Sequence, residues 1–152
     1  MNKRIPAVNI LFFIHVLVTI TMTGIIWFIQ LVHYPLLNLV GAAQFTTYEV
    51  AHTRLITWTV FPWMLIELGT GFLLLWRRPR QVTVVQAWIG FGLLLVIWAS
   101  TVFLQVPQHH ILALGFNAAA QTKLVATNWL RTVVWSVRTL LWLKVFSDDF
   151  NK

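Results

Sequence analysis

The chain lacks cysteine and contains few charged residues. Its 152 residues include no Cys and only 4 Asp or Glu, and charged residues make up 10% of the total. Without cysteine, disulfides, thiolate metal sites and thiol catalysis are excluded. A soluble globular domain carries about 25% charged residues, so this class is also disfavoured. The 11 Lys and Arg lie mostly beside apolar runs, so they form no basic stripe and predict no nucleic-acid partner.

What the sequence does contain is long apolar runs, four of which predict membrane-spanning helices. A bilayer core of about 30 Å needs roughly 20 apolar residues in a helix. Pro35 and Pro107 are expected to end the first and third helices, because proline has no backbone donor. The sequence therefore predicts an all-α integral membrane four-helix bundle, embedded in the lipid bilayer as a single domain over residues 1–152. The predicted spans cover residues 10–34, 55–76, 84–106 and 124–146.

Positive charges predict the orientation of the bundle. Lys and Arg residues are concentrated on the cytoplasmic side of membrane proteins. They occur here before the first span, between the second and third, and after the fourth, which places both termini in the cytoplasm of a bacterial-type inner membrane. The residues are Lys3, Arg4, Arg77, Arg78, Arg80, Lys144 and Lys152. The two remaining connections, residues 35–54 and 107–123, would then face outward.

A weak internal similarity indicates a tandem repeat. A shift of 75 residues aligns residues 28–39 with residues 103–114 without a gap. On this reading, halves 1–76 and 77–152 are two-helix hairpins related by an axis along the membrane normal, as in parallel transporter repeats. The alternative is chance similarity between apolar helices.

Four of the five histidines lie at the outward end, where they predict a metal or substrate site. Imidazole and carboxylate ligands suit Fe, Cu or Zn, and two histidines could hold a haem. Thr46 to Glu49 has the pattern of a capping box, which would begin the second helix there. His33 or His52 could act as a general base. The alternatives are an organic ligand bound without metal, or simple hydrogen bonding at the headgroup level. The predicted metal ligands are His33, Glu49, His52, His109 and His110.

The fourth span carries polar and aromatic residues at steps of three and four, which predicts one inward face. Ionisable groups in a membrane span usually face the bundle interior and find partners there. Glu67 is the one acidic residue within a predicted span, and either Arg131 or Arg138 could pair with it as a structural link. The residues on the face are Asn128, Arg131, Trp135, Arg138 and Trp142.

The same face has a functional alternative, namely the floor of a cavity that opens to the outer leaflet. Arg131 would bind an anionic or carbonyl oxygen there, because its fork of donors stays charged when buried. The predicted substrate-binding residues are Gln30, Tyr34, Glu67, Gln105, Asn128 and Arg131, and the predicted catalytic residues are His33, His52 and Arg131.

The stretch Val106-Pro107, followed by Leu124-Val-Ala-Thr-Asn128-Trp129-Leu-Arg131-Thr132, resembles small membrane proteins of the anthrone-oxygenase-like family. The resemblance covers mainly the second half of the chain. Proteins of this family look like four-helix units, and some of them oxygenate polycyclic phenolic substrates without an evident cofactor. The resemblance would place Asn128 and Arg131 in the pocket and make molecular oxygen a co-substrate. The doublet His109-His110 has no counterpart in that pattern.

These observations favour a membrane oxidoreductase or oxygenase-like enzyme acting on a lipophilic small molecule. A second hypothesis is a non-catalytic membrane protein that binds or transports a metal ion or small ligand. A third is a helper subunit of a membrane complex. Small residues at Gly69, Gly71, Gly90 and Gly92 permit close helix contacts, either within one chain or in a homo-oligomer.

Overall fold

Four long helices make up the fold of the computed structural model, which describes the backbone of residues 7–150 and the side chains of residues 10–147. The first helix covers residues 7–39, the second Ala42–Leu74, the third Val84–Leu112 and the fourth Ala118–Phe150. The all-helical prediction is therefore confirmed. Lys3, Arg4 and Lys152, which contributed to the predicted orientation, lie outside the described residues.

The prediction that Pro35 and Pro107 end their helices is wrong. A π-helical turn, Ile29–His33, comes before Pro35, and a second one, Thr101–Gln105, comes before Pro107. The wider π turn shifts the hydrogen-bond register ahead of a residue that cannot donate, so that the helix continues beyond it. Thr101 follows Ile29 by 72 positions, and Pro107 follows Pro35 by the same 72. This spacing differs from the 75-residue shift of the sequence alignment.

The second helix begins earlier than its predicted capping box. It starts at Ala42, after Gly41 in an extended conformation (ψ 142°) and without a side-chain cap. Thr46 to Glu49 therefore lies inside the helix. A complete capping box occurs instead at the start of the third helix, where Thr83 and Gln86 exchange hydrogen bonds.

The four helices pack as a ring in which each touches its neighbours. The fourth packs against the first and third, and the second also packs against the first and third. Because successive helices reverse direction, the 39–42 and 112–118 connections lie at the same end of the bundle. We call this the histidine end, since His33, His52 and His109 meet there.

The polar face of the fourth helix is buried, as its periodicity predicts. Asn128, Trp135, Arg138 and Trp142 are at most 1% exposed, and Arg131 is 8% exposed. By contrast, large apolar side chains cover much of the outer surface, including Leu39, Trp58, Phe103 and Leu140. The first three helices are long and apolar enough to cross a membrane.

Candidate functional site: a polar chain at the end of an apolar cavity

A cavity of about 330 Å³ lies between the helices in the half of the bundle that includes the histidine end. Its volume falls within the range of about 300–1,000 Å³ that is typical of small-molecule sites. Most of its wall is apolar, with Met22, Ile26, Met64 and Trp135 among the lining residues. The polar lining residues are Tyr34, His52, Thr53, Thr57, Thr101, Gln105, His109, His110 and Arg131.

Glu49 and His109 form a buried carboxylate–imidazole pair. Glu49 Oε1 lies 2.6 Å from His109 Nδ1, and Glu49 is fully buried. An ionised carboxylate accepts hydrogen bonds only, so it favours the tautomer in which Nδ1 carries the proton. His109 Nε2 is then left as a base. The sequence predicted these two residues as metal ligands, and in the structure they hydrogen-bond to each other.

Tyr34 connects this pair to Arg131. The Tyr34 hydroxyl lies 3.4 Å from His109 Nε2 and accepts a hydrogen bond from Arg131 Nη2 at 3.4 Å. All three side chains line the cavity. With Nδ1 protonated, His109 Nε2 accepts from the Tyr34 hydroxyl, so an imidazole base, a hydroxyl and a guanidinium stand next to each other at one end of an apolar space.

The guanidinium of Arg131 is fixed by further bonds. Its Nε and Nη2 donate to Asn128 Oδ1 at 2.9 and 2.5 Å, and its Nη1 donates to Thr101 Oγ1 at 3.3 Å. Asn128 in turn donates to Gln30 Oε1 at 2.7 Å. The predicted residues Gln30 and Asn128 are thus brought to this site, where they support Arg131 from behind.

Gln105 presents an unpaired acceptor at the cavity. Its Nε2 donates to Thr127 Oγ1 at 2.9 Å, and the Thr127 hydroxyl donates to the carbonyl of Lys123 at 2.7 Å. Because the single hydroxyl proton is engaged, Thr127 can only accept from Gln105, which fixes the amide orientation. Gln105 Oε1 and the indole Nε1 of Trp98 are buried without a hydrogen-bond partner. Both residues line the cavity, so its wall includes one residue with an unpaired acceptor and one with an unpaired donor.

His33 and His52 come together, but not as metal ligands of one ion. Their rings stack with centroids 4.3 Å apart and 25° between the planes. A metal must lie in the plane of each imidazole at about 2.0–2.1 Å from the nitrogen, which two nearly parallel rings at this spacing cannot satisfy. The same spacing leaves no room for a porphyrin between them.

Within residues 10–147, no group of three or more His, Cys, Asp or Glu side chains is placed to hold a metal ion. His110 is exposed and lines the cavity edge.

Glu67 belongs to a second polar cluster deeper in the bundle and not to the cavity lining. Its carboxylate pairs with Arg138, which resolves the choice between the two arginines. Arg138 also donates from Nε to the Gly90 carbonyl at 3.1 Å, and its Nη2 lies 3.2 Å from His15 Nε2. Thr19 Oγ1 at 2.8 Å and Trp135 Nε1 at 3.1 Å donate to Glu67. We call these residues the deep cluster. Its geometry matches the structural link with an arginine that the sequence predicted as one of two roles for Glu67.

Several lining residues, Thr101 and Trp98 among them, are absent from the predicted site. Thr101 bonds Arg131 from within the second π turn, and Trp98 lies one helical turn before it. Their spacing from Gln105 places all three on one helical face, which was the available signal. The π turn changes that spacing by one residue, and the sequence alone does not predict it.

Comparison with protein-family models, curated proteins and solved structures finds no match to this chain. The resemblance to the anthrone-oxygenase-like family therefore stays a prediction.

Proposed function

We propose that the chain is an integral membrane protein. Monomeric soluble proteins rarely expose contiguous apolar patches larger than a few hundred Å², whereas Trp58, Phe103 and Leu140 are each at least 67% exposed on different helices. The fourth helix is less apolar than the others because it carries a polar face. That face is buried against the other helices, so the fourth helix can cross the bilayer with them. We keep the predicted orientation in a bacterial-type inner membrane, with Arg77, Arg78 and Arg80 on the cytoplasmic side.

We further propose that the protein is an enzyme that removes a proton from a lipophilic ketone or phenol. The observation that carries this proposal is the chain Glu49–His109–Tyr34–Arg131 at the end of an apolar cavity. A base that stands next to oxyanion donors suits a substrate whose acidic hydrogen and oxygen are close together, such as the α-hydrogen of a ketone. The apolar wall selects for a lipophilic molecule.

The proposed step is the transfer of a proton from the substrate to His109. His109 Nε2, released from the Tyr34 hydroxyl as the substrate enters, takes the α-proton. The electron pair of the C–H bond forms the C=C bond of the enolate, and the π pair of the carbonyl moves onto its oxygen. Tyr34 and Arg131 donate hydrogen bonds to the resulting enolate, while Glu49 stabilises the imidazolium. In oxygenase-like chemistry, dioxygen as co-substrate then adds to the α-carbon, and the proton held by His109 completes a hydroperoxide.

The test uses 2-tetralone, a bicyclic ketone with acidic α-hydrogens, and the protein in phosphatidylcholine vesicles. Under nitrogen in D₂O, the protein is expected to accelerate deuterium incorporation at the α-carbon, measured by mass spectrometry. His109→Gln is expected to lower this rate by a factor of about 10²–10⁴, the usual contribution of a general base. Exposed Lys123→Gln, at the same end of the bundle, is the matched control and should leave the rate unchanged.

A second arm in air separates proton removal from oxygenation, because only oxygenation consumes dioxygen. Exchange without oxygen uptake would limit the function to enolisation. Equal rates for protein-containing and empty vesicles would overturn the enzyme proposal. Retained binding of 2-tetralone in that case would support the alternative of a non-catalytic binding protein.

A further inference from the structure

A second cavity lies beside the first and opens on the outer surface between the first and second helices. Its volume is about 580 Å³, and its wall includes Gly24, Phe28, His33, Tyr48 and Leu55. Gly24, Phe28, Tyr48 and Leu55 are exposed. We call this space the outer cavity and the one that holds Arg131 the inner cavity.

The two cavities share a wall. Ile25, Ile29, His52 and Ile56 line both of them. The only aromatic side chain in the shared wall is His52, which stacks on His33 of the outer cavity and lies 5.6 Å, centroid to centroid, from His109 of the inner one. The His33–His52 stack therefore closes the gap between the two helices at the point where the cavities adjoin.

The side chains that separate the two cavities are held by few polar contacts. His33 and His52 are only partly buried, and His33 Nε2 is buried without a hydrogen-bond partner, so little polar bonding holds the His33 ring in place. The remaining shared residues are isoleucines. When a lipophilic molecule passes between them, its apolar contacts replace those that the isoleucines lose. Displacing a ring contact costs less than separating two packed helices.

We infer that the outer cavity is a lateral portal through which a lipophilic substrate passes from the bilayer into the inner cavity, with the His33–His52 stack as its gate. This inference rests on the proposed function, because it assumes that the inner cavity receives a lipophilic molecule. The occupant follows from continuity: the outer cavity is apolar, it faces the lipid in the proposed orientation, and it leads to a site with the same apolar character.

Gly24 provides a test, because a side chain added there meets nothing within 4 Å and projects into the outer cavity alone. Gly92 on the third helix is equally open and lines neither cavity, so it offers a matched control. The cysteine-free chain allows a single reporter thiol at Thr101→Cys, where the neighbouring Arg131 favours the reactive thiolate. The reagent is N-phenylmaleimide dissolved in the lipid of phosphatidylcholine vesicles.

If the outer cavity is the portal, the tryptophan of Gly24→Trp fills part of it and hinders entry of the maleimide. We expect labelling of the reporter thiol to slow by about tenfold or more. Gly92→Trp should label at the parent rate, and the graded series Gly24→Ala, Gly24→Leu should fall between the extremes. The graded series keeps the test valid if the tryptophan variant fails to fold.

Equal labelling rates for Gly24→Trp and Gly92→Trp would overturn the portal. Rapid labelling by a sulfonated, water-soluble maleimide that is independent of residue 24 would do the same, since entry would then be from the aqueous end. Labelling does not depend on turnover, so the two proposals can fail separately. Labelling that depends on residue 24, without exchange of tetralone, would support the portal and contradict the enzyme proposal.

Discussion

Arg131 is the residue on which the candidate site depends most. All three of its nitrogens are directed by Asn128 and Thr101, and Nη2 also donates to the Tyr34 hydroxyl beside the cavity. Such placement uses the planar fork of the guanidinium, and an ammonium group has no equivalent of it. In the proposed reaction, the positive charge alone is therefore insufficient, because the direction of the donors determines where the enolate oxygen binds.

Arg131→Lys is expected to lower the rate of tetralone exchange by a factor of about 10²–10³, the usual effect of losing one oxyanion donor. The positive charge remains, so the loss measures direction and not charge. Exposed Arg54→Lys is the control and should exchange at the wild-type rate. An unchanged rate for Arg131→Lys would show that the guanidinium does not contact the substrate oxygen.

In the proposed reaction, Glu49 acts only through His109, its hydrogen-bond partner. Its carboxylate fixes the imidazole tautomer, so Glu49→Gln removes the charge that stabilises the imidazolium while keeping the side-chain shape. We expect a slower exchange rate with an unchanged affinity for 2-tetralone, measured by equilibrium dialysis of vesicles. Weaker binding at an unchanged maximal rate would instead assign Glu49 to the cavity wall.

At the scale of elements, the third and fourth helices meet at Gly90. A side chain there would overlap the indole ring of Trp142, which is 1% exposed and has no space to move into. The Gly90 carbonyl also accepts from Arg138. Close approach of the two helices at this point thus brings the deep cluster together.

Gly90→Ala is expected to lower the free energy of unfolding by about 1–3 kcal/mol, the usual cost of overpacking. Gly92→Ala, in the same helix, meets nothing within 4 Å and should be neutral or stabilising by up to about 1 kcal/mol, because alanine favours the helix. Denaturant titration in detergent micelles measures both. Equal stability of the two variants would mean that the helices are not in contact at Gly90.

The elements also show where sequence reasoning succeeds and where it stops. Apolar run length located all four helices, and a period of 3.6 gave the buried face of the fourth. Helix ends were less predictable, because the π turns before Pro35 and Pro107 absorb the missing donor. The sequence grouped Glu49 and His109 at one site, but it did not predict their direct hydrogen bond. That bond joins residues 60 positions apart, and such pairing depends on how two helices are rotated against each other.

On the scale of the whole molecule, the deep cluster holds together the ends of the helices farther from the histidine end. His15 and Thr19 come from the first helix, Glu67 from the second, the Gly90 carbonyl from the third, and Arg138 from the fourth. Each helix thus contributes at least one polar group to one buried ion pair. The inner cavity lies nearer the histidine end, away from this ion pair.

Breaking the deep ion pair should destabilise the whole fold. Glu67→Gln leaves the guanidinium of Arg138 buried without its counter-charge, which is expected to cost about 3–5 kcal/mol of unfolding free energy. Arg138→Gln should cost a similar amount for the converse reason. The double variant Glu67→Gln, Arg138→Gln buries no charge, so it should be more stable than the sum of the single effects predicts. Denaturant titration of the four proteins gives the coupling energy. Strictly additive losses would mean that the two side chains do not interact, and that another contact holds the four helices together.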